Sequence, residues 1–137
     1  MTVSVDDLII RARRRIHRVG PYELEGIVAD GGIIVDIRPA EQRKREGAMP
    51  GALVVERNDL EWRLDPMGTH RLPEVRDHHQ PIVIVCSEGY ASTLAAASLV
   101  DLGHEHVADL VGGYVAWSKW FEWWGSRRVK VGTSVAQ

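Results

Sequence analysis

The chain contains a single cysteine, Cys86, and its position along the sequence could make its sulfur reactive. It directly follows the apolar run Ile82–Val85, which predicts a buried strand. An alanine-rich segment with helical character begins six residues later. Ligands of an open parallel sheet bind at the carboxyl ends of its strands, and a helix N-terminus stabilises negative charge. Both effects would favour the thiolate, which is the nucleophilic form of cysteine.

Two interpretations of Cys86 follow from its position alone. The first is a nucleophile in a loop whose backbone N–H groups surround an anion, with Gly89 allowing the left-handed backbone that such a loop needs. The second is an inert packing residue, because free cysteine is among the most buried residue types. A lone cysteine excludes an internal disulfide and every multi-cysteine metal site. We expect neither a metal nor a cofactor, since the histidine pairs 78–79 and 104/106 lack a third ligand at metal spacing.

Charge is distributed unevenly along the 137 residues, although the formal net charge is only −2. The N-terminal segment is rich in arginine, and the region 81–124 is acidic with Lys119 as its one basic residue. The arginines could form a patch for RNA or an acidic partner, but a solvated helix face is the favoured interpretation. Nucleic acid is therefore not an expected partner. No apolar run is long enough to cross a bilayer and no signal peptide is recognised, so we expect a cytoplasmic protein.

Short apolar strands alternate with helical segments, which predicts an α/β fold with a central, mostly parallel five-stranded sheet and helices on both faces. We predict an amphipathic basic helix over 1–15, one domain over 16–124 and a tail over 125–137. Within the domain, strands are expected at 16–19, 33–35, 53–55, 82–85 and 107–111. Helices are expected at 21–31, 39–46, 58–64 (capped by Asn58), 92–102 and 114–124, and a loop at 66–81. Four aromatic residues of the last helix share one face, which should pack on the sheet: Trp117, Trp120, Phe121 and Trp124. Trp123 points elsewhere and could mark a partner surface.

Four segments in this order resemble the rhodanese-like domain family. Val35-Asp36-Ile37-Arg38 resembles the family's Asp-x-Arg segment, and Gly47–Ala52 resembles its Gly-His-Ile-Pro-Gly-Ala turn. Cys86-Ser87-Glu88-Gly89 with Ser92 is similar to the loop Cys-x-x-Gly-x-Arg-Ser. Leu110–Gly113 with Ala116-Trp117 is similar to the closing Leu-x-Gly-Gly-x-x-Ala-Trp. The resemblance covers about residues 18–117.

The resemblance implies a sulfurtransferase in which Cys86 is the catalytic nucleophile. Its thiolate would take the outer sulfur of a donor such as thiosulfate or a persulfide and pass it to cyanide, a thiol or a protein acceptor. The acceptor must be external, because no second cysteine could resolve the persulfide. The implied substrate-binding residues are Ser87, Glu88, Gly89, Tyr90, Ala91, Ser92 and Arg38. The oligomeric state is left open.

The chain departs from the family pattern at two positions. Ala91 stands where the loop usually has arginine, and Ala48 stands where the turn usually has histidine. A dianionic donor would then need a cation from elsewhere, and Arg38 and Arg43 are the nearest candidates by topology. One alternative function is a non-catalytic rhodanese-like interaction module, although such modules often lose the cysteine. Rhodanese-fold phosphatases and arsenate reductases are disfavoured, because their longer loop ends in arginine.

Overall fold

A computed structural model describes the backbone of residues 2–136 and the side chains of residues 2–126. Within this range, five strands form one sheet in the order β1-β5-β4-β2-β3, and every neighbouring pair is parallel. The strands are β1 (His17–Val19), β2 (Ile33–Asp36), β3 (Leu53–Val54), β4 (Ile82–Val85) and β5 (Val107–Leu110). The predicted parallel five-stranded α/β fold is confirmed. Strand β4 is the middle strand, so Cys86 lies at its carboxyl end.

Six helices accompany the sheet in the described part of the chain. They are α1 (Val5–Arg13), α2 (Leu24–Ala29), α3 (Ala40–Glu46), α4 (Leu60–Arg63), α5 (Ala91–Asp101) and α6 (Gly113–Ala136). Single 3₁₀ turns at Pro21–Glu23 and Arg57–Asp59 lead into α2 and α4. None of these helices, as far as the structure describes them, is apolar over a stretch long enough to span a bilayer.

Successive side chains of the inner strands point to opposite faces of the sheet, so each face has its own hydrophobic core. Val35 and Ile84 belong to one core with Leu99 of α5. Ile34 and Val83 belong to the other with Tyr114 of α6. This explains the continuous apolar runs in the sequence, because a strand covered on both faces needs no polar side. Helix α1 lies outside this sandwich, packed on α5.

Some predicted boundaries are wrong. Helix α6 continues to Ala136, so its predicted end at Trp124 is wrong, and the backbone of residues 125–136 is helical where the sequence predicts a tail. Residue 137, the last of the predicted tail, lies outside the described residues. Asn58 is not a helix cap, because it lies inside a 3₁₀ turn before α4. The aromatic face of α6 packs on the sheet only at its start: Trp117 contacts the core, whereas Phe121 is 50% exposed. The predicted α6 face is therefore only partly buried.

Candidate active site

The sulfur of Cys86 is held by backbone N–H groups. Its Sγ accepts hydrogen bonds from the N–H of Gly89 at 3.2 Å and of Ser92 at 3.3 Å. Ser92 lies in the first turn of α5, so the helix N-terminus acts on the sulfur as the sequence predicts. Only 6% of Cys86 is exposed. Donors of this kind stabilise a thiolate more than a thiol, because each N–H dipole points its positive end at the charge.

The loop can take this shape because residue 89 is glycine. Gly89 has φ +90°, a conformation that other residues rarely adopt. A Cβ at this position would also come within 2.9 Å of the Gly112 nitrogen and 3.1 Å of the Leu110 oxygen. Both the backbone conformation and the lack of space therefore require glycine.

Hydrogen bonds from the first turn of α6 also hold the cysteine loop in place. The N–H of Tyr114 donates to the carbonyl oxygen of Cys86 at 2.8 Å, and the N–H of Val115 donates to that of Ser87 at 3.0 Å. Gly113, with φ +60°, allows this approach. A Cβ there would overlap the carbonyl groups of both loop residues. The Gly112-Gly113 turn therefore serves to bring α6 against the cysteine loop.

Arg38 is a structural residue of the site. Its side chain is fully buried and donates to Asp36 at 2.7 Å, to Glu46 at 3.1 Å and to the Gly47 carbonyl at 2.9 Å. Its guanidinium also lies 4.0 Å from the centre of the Tyr114 ring. Burial alone would lower the pKa of Arg38, but hydrogen bonds and charges from Asp36 and Glu46 raise it above its usual value.

The prediction that Arg38 binds a donor is corrected by this arrangement, because a buried guanidinium held by two carboxylates does not face a substrate. Its partner Glu46 accepts a hydrogen bond from the Ser87 hydroxyl at 2.6 Å. The Asp-x-Arg segment thus positions the cysteine loop through Glu46. The other predicted cation, Arg43, donates from Nε to the Arg38 carbonyl at 3.3 Å.

A second polar cluster lies behind the loop, around the buried Asp109 of β5. Its carboxylate accepts from Arg18 at 2.9 Å, from the Ser92 hydroxyl at 2.9 Å and from the Thr93 hydroxyl at 2.7 Å. Sequence reasoning missed this cluster, although an aspartate inside an apolar strand was a signal. A buried carboxylate needs charged or hydrogen-bonding partners.

A cleft of about 240 Å³ opens beside the sulfur. It is lined by Gln42, Cys86, Ser87, Glu88, Tyr90 and Ala91. Four of the predicted substrate-binding residues therefore line it, whereas Gly89, Ser92 and Arg38 do not. Glu88 is the charged residue of the lining, which includes no basic side chain. A larger cavity of about 320 Å³, lined mainly by apolar residues such as Leu24, Met49 and Trp117, has no nucleophile among its lining residues.

Comparison with known proteins identifies related chains. The sequence model of the rhodanese-like domain matches residues 20–119. The adenylyltransferase and sulfurtransferase UBA4 of Candida albicans is 31% identical over 103 residues, or 74% of this chain. The match spans only 23% of that relative's own length. The thiosulfate sulfurtransferase GlpE of Pseudoalteromonas translucida is 32% identical, covering 69% of this chain and 80% of the relative.

A solved structure with a similar fold is a protein of unknown function, RPA3614, from Rhodopseudomonas palustris. It is described as a possible tyrosine phosphatase. The two chains are 29% identical with a TM-score of 0.77, and the match covers 87% of this chain and 92% of the other.

Proposed function

Because the chain belongs to the rhodanese-like domain family, we propose that it is a sulfurtransferase that carries a sulfane sulfur on Cys86. The observation that carries this proposal is the geometry of the sulfur. Cys86 lies at the carboxyl end of the middle strand, beside a cleft, and accepts two backbone N–H hydrogen bonds. A packing cysteine would need neither the cleft nor the two donors.

The reaction has two displacement steps. In the first, the Cys86 thiolate attacks the outer sulfur of the donor. A new S–S bond forms at Sγ, and the donor's own bond to that sulfur breaks, its electron pair leaving with a thiolate or with sulfite. In the second step, an acceptor thiolate attacks the outer sulfur and the bond to Sγ breaks, which restores the Cys86 thiolate. No net oxidant is needed, and the acceptor is external because the chain has one cysteine.

The lining of the cleft favours a persulfide donor over thiosulfate. Thiosulfate is a dianion, and the six lining residues offer it Glu88 and no cation. Ala91, at the position where the family pattern has arginine, is exposed at the mouth of the cleft. A thiol persulfide needs no such cation to be held. We therefore propose a small or protein-bound persulfide as donor and a thiol as acceptor.

The description of the R. palustris neighbour raises phosphatase activity as a second candidate. A phosphatase loop must hold the transferring oxyanion, and bidentate arginine contacts usually do so. Here the cleft lining contains no arginine, and Glu88 would repel a phosphate group. These two observations favour sulfur transfer over phosphoryl transfer.

The proposal is tested by supplying purified protein with a low-molecular-weight thiol persulfide and a thiol acceptor. We expect transfer by the wild type and none by a folded Cys86→Ser variant, because serine is a poor nucleophile without a base. Hydrolysis of an aryl phosphate should be absent in both. A folded wild type that transfers no sulfur would contradict the proposal and support a non-catalytic interaction module, whereas phosphate release that requires Cys86 would support the phosphatase.

A further inference from the structure

Two arginines from the start of the chain reach the back of the cysteine loop. The Nη2 groups of Arg13 and Arg18 both donate to the carbonyl oxygen of Gly89, at 3.1 and 3.0 Å. Arg13 ends α1 and Arg18 lies in β1. Both precede residues 20–119, which the family model matches. The N-terminal segment is therefore in direct contact with the loop that holds Cys86.

The charges of the two arginines are compensated differently. Arg18 forms an ion pair with the buried Asp109 at 2.9 Å. Arg13 forms no ion pair with any carboxylate among the side chains that the structure describes. Its guanidinium lies 5.5 Å from the centre of the Tyr90 ring, within the range of a cation–π contact. Arg13 therefore brings a net positive charge to the loop.

Gly89 links this charge to the sulfur, because one residue contacts both of them. The N–H of Gly89 donates to Cys86 Sγ, and the carbonyl oxygen of the same residue accepts from Arg13. A planar peptide group turns as a unit, so fixing the Gly89 oxygen also fixes the N–H of Tyr90. It thereby limits rotation of the Gly89 backbone, whose own N–H donates to the sulfur. A cation bound to the residue whose N–H donates to the sulfur, and partly shielded from solvent, favours the anionic form of the sulfur.

We propose that Arg13 is a positioning residue that acts from behind the cysteine loop, where it holds the Gly89 carbonyl and stabilises the anionic sulfur, while the cleft lining beside Ala91 keeps no cation. The inference rests on the proposed function in that the thiolate and persulfide of Cys86 are the reactive forms. The sequence suggests that the arginines of the N-terminal helix form a solvated face. The proposal instead gives this helix a role in the chemistry of the site.

The test is the pH dependence of Cys86 alkylation by iodoacetamide, followed by mass spectrometry of the cysteine peptide. For Arg13→Gln we expect the rate at about pH 7 to fall about three- to tenfold. At about pH 10, well above the ordinary pKa of a thiol of about 8.5, the rate should equal that of the wild type. Arg13→Lys, which keeps the charge, should stay within about twofold of the wild type.

Arg11→Gln is the matched control, because it removes the same charge from an exposed position of the same helix. The proposal is overturned if Arg13→Gln behaves like Arg11→Gln. It is also overturned if Arg13→Gln changes the rate equally at both pH values, which would indicate altered access to the thiol. Alkylation needs no sulfur donor, so these outcomes are independent of whether the chain transfers sulfur.

Discussion

At the scale of single residues, the proposed function has the Cys86 sulfur activated by backbone groups, without a neighbouring side-chain base. The six residues that line the cleft include no histidine, and the sulfur's two hydrogen bonds come from main-chain N–H groups. Backbone N–H groups do not titrate, so the partial positive charge on their hydrogen is the same at every pH. They can therefore stabilise a thiolate and then a persulfide anion. The side chains around the loop act mainly by holding these amides in place.

The residue that determines donor choice in this account is Ala91. Ala91→Arg should lower the KM for thiosulfate about tenfold. A unit charge pair 4 Å apart is worth about 4 kcal/mol at an effective dielectric of 20, and exposure should reduce the gain to about 1–2 kcal/mol. Steady-state kinetics with thiosulfate as donor would measure the change.

Glu88→Gln is the companion variant for this prediction, since it removes the repelling charge from the same cleft without adding a cation. Its KM for thiosulfate should fall by a smaller amount. The account of donor choice fails if the wild type already turns over thiosulfate efficiently and neither variant changes the KM.

At the scale of elements, the cysteine loop is held between α5, α6 and the N-terminal segment. The first turn of α5 contacts the sulfur, and the first turn of α6 satisfies the carbonyl groups of Cys86 and Ser87. The close approach of α6 depends on Gly113, where a side chain would overlap the loop. Loop geometry therefore depends on how the helices meet as well as on the glycine within the loop at position 89.

Gly113→Ala should destabilise the protein by about 2–4 kcal/mol, because it combines a left-handed backbone with overlap of the loop carbonyls. Gly125→Ala is the matched control in the same helix, where a Cβ would meet nothing within 4 Å. That change should stabilise by up to about 1 kcal/mol, since alanine favours helix. Urea unfolding of both variants would measure the difference, and equal stabilities would rule out this role for Gly113.

The local sequence predicts some elements well and some contacts poorly. Ile82–Val85 and the alanine-rich α5 follow directly from apolar runs, and this placed Cys86 correctly between them. The partners of Asp109 lie far apart in sequence, at Arg18 and Thr93, so no local pattern could reveal them. Topology places Arg38 near the sheet edge and so predicts contact with the substrate, whereas its buried pairing with Asp36 depends on packing.

At the scale of the whole molecule, the same sheet that places Cys86 also buries a titratable residue away from the site. His104 is 3% exposed, and its Nε2 lies 2.7 Å from the carbonyl oxygen of Leu64. Its Nδ1 has no hydrogen-bond partner among the described residues. Burial lowers the pKa of His104, which outweighs the hydrogen bond to Leu64, and the nearby His78 lowers it further.

This burial predicts that acid destabilises the fold. Because the pKa of His104 is lower in the folded chain than in the unfolded chain, where it is about 6.5, the unfolded chain takes up this proton first as the pH drops. The free energy of unfolding therefore falls below about pH 6.5, by up to about 1.4 kcal/mol per pH unit, until the folded chain is protonated as well. His104→Gln should show a flatter dependence between about pH 7 and 5. His106→Gln, at an exposed position, should keep the wild-type slope. Identical slopes for the wild type and His104→Gln would exclude this contribution.

Whether Cys86 carries sulfur is best tested by the intact mass of the protein after brief exposure to one equivalent of a thiol persulfide. We expect a gain of the mass of one sulfur atom, located on the peptide that contains Cys86 and removed by an added thiol acceptor. The Cys86→Ser variant should gain nothing. A folded wild type whose Cys86 stays unmodified under these conditions would contradict the assignment of Cys86 as the sulfur carrier.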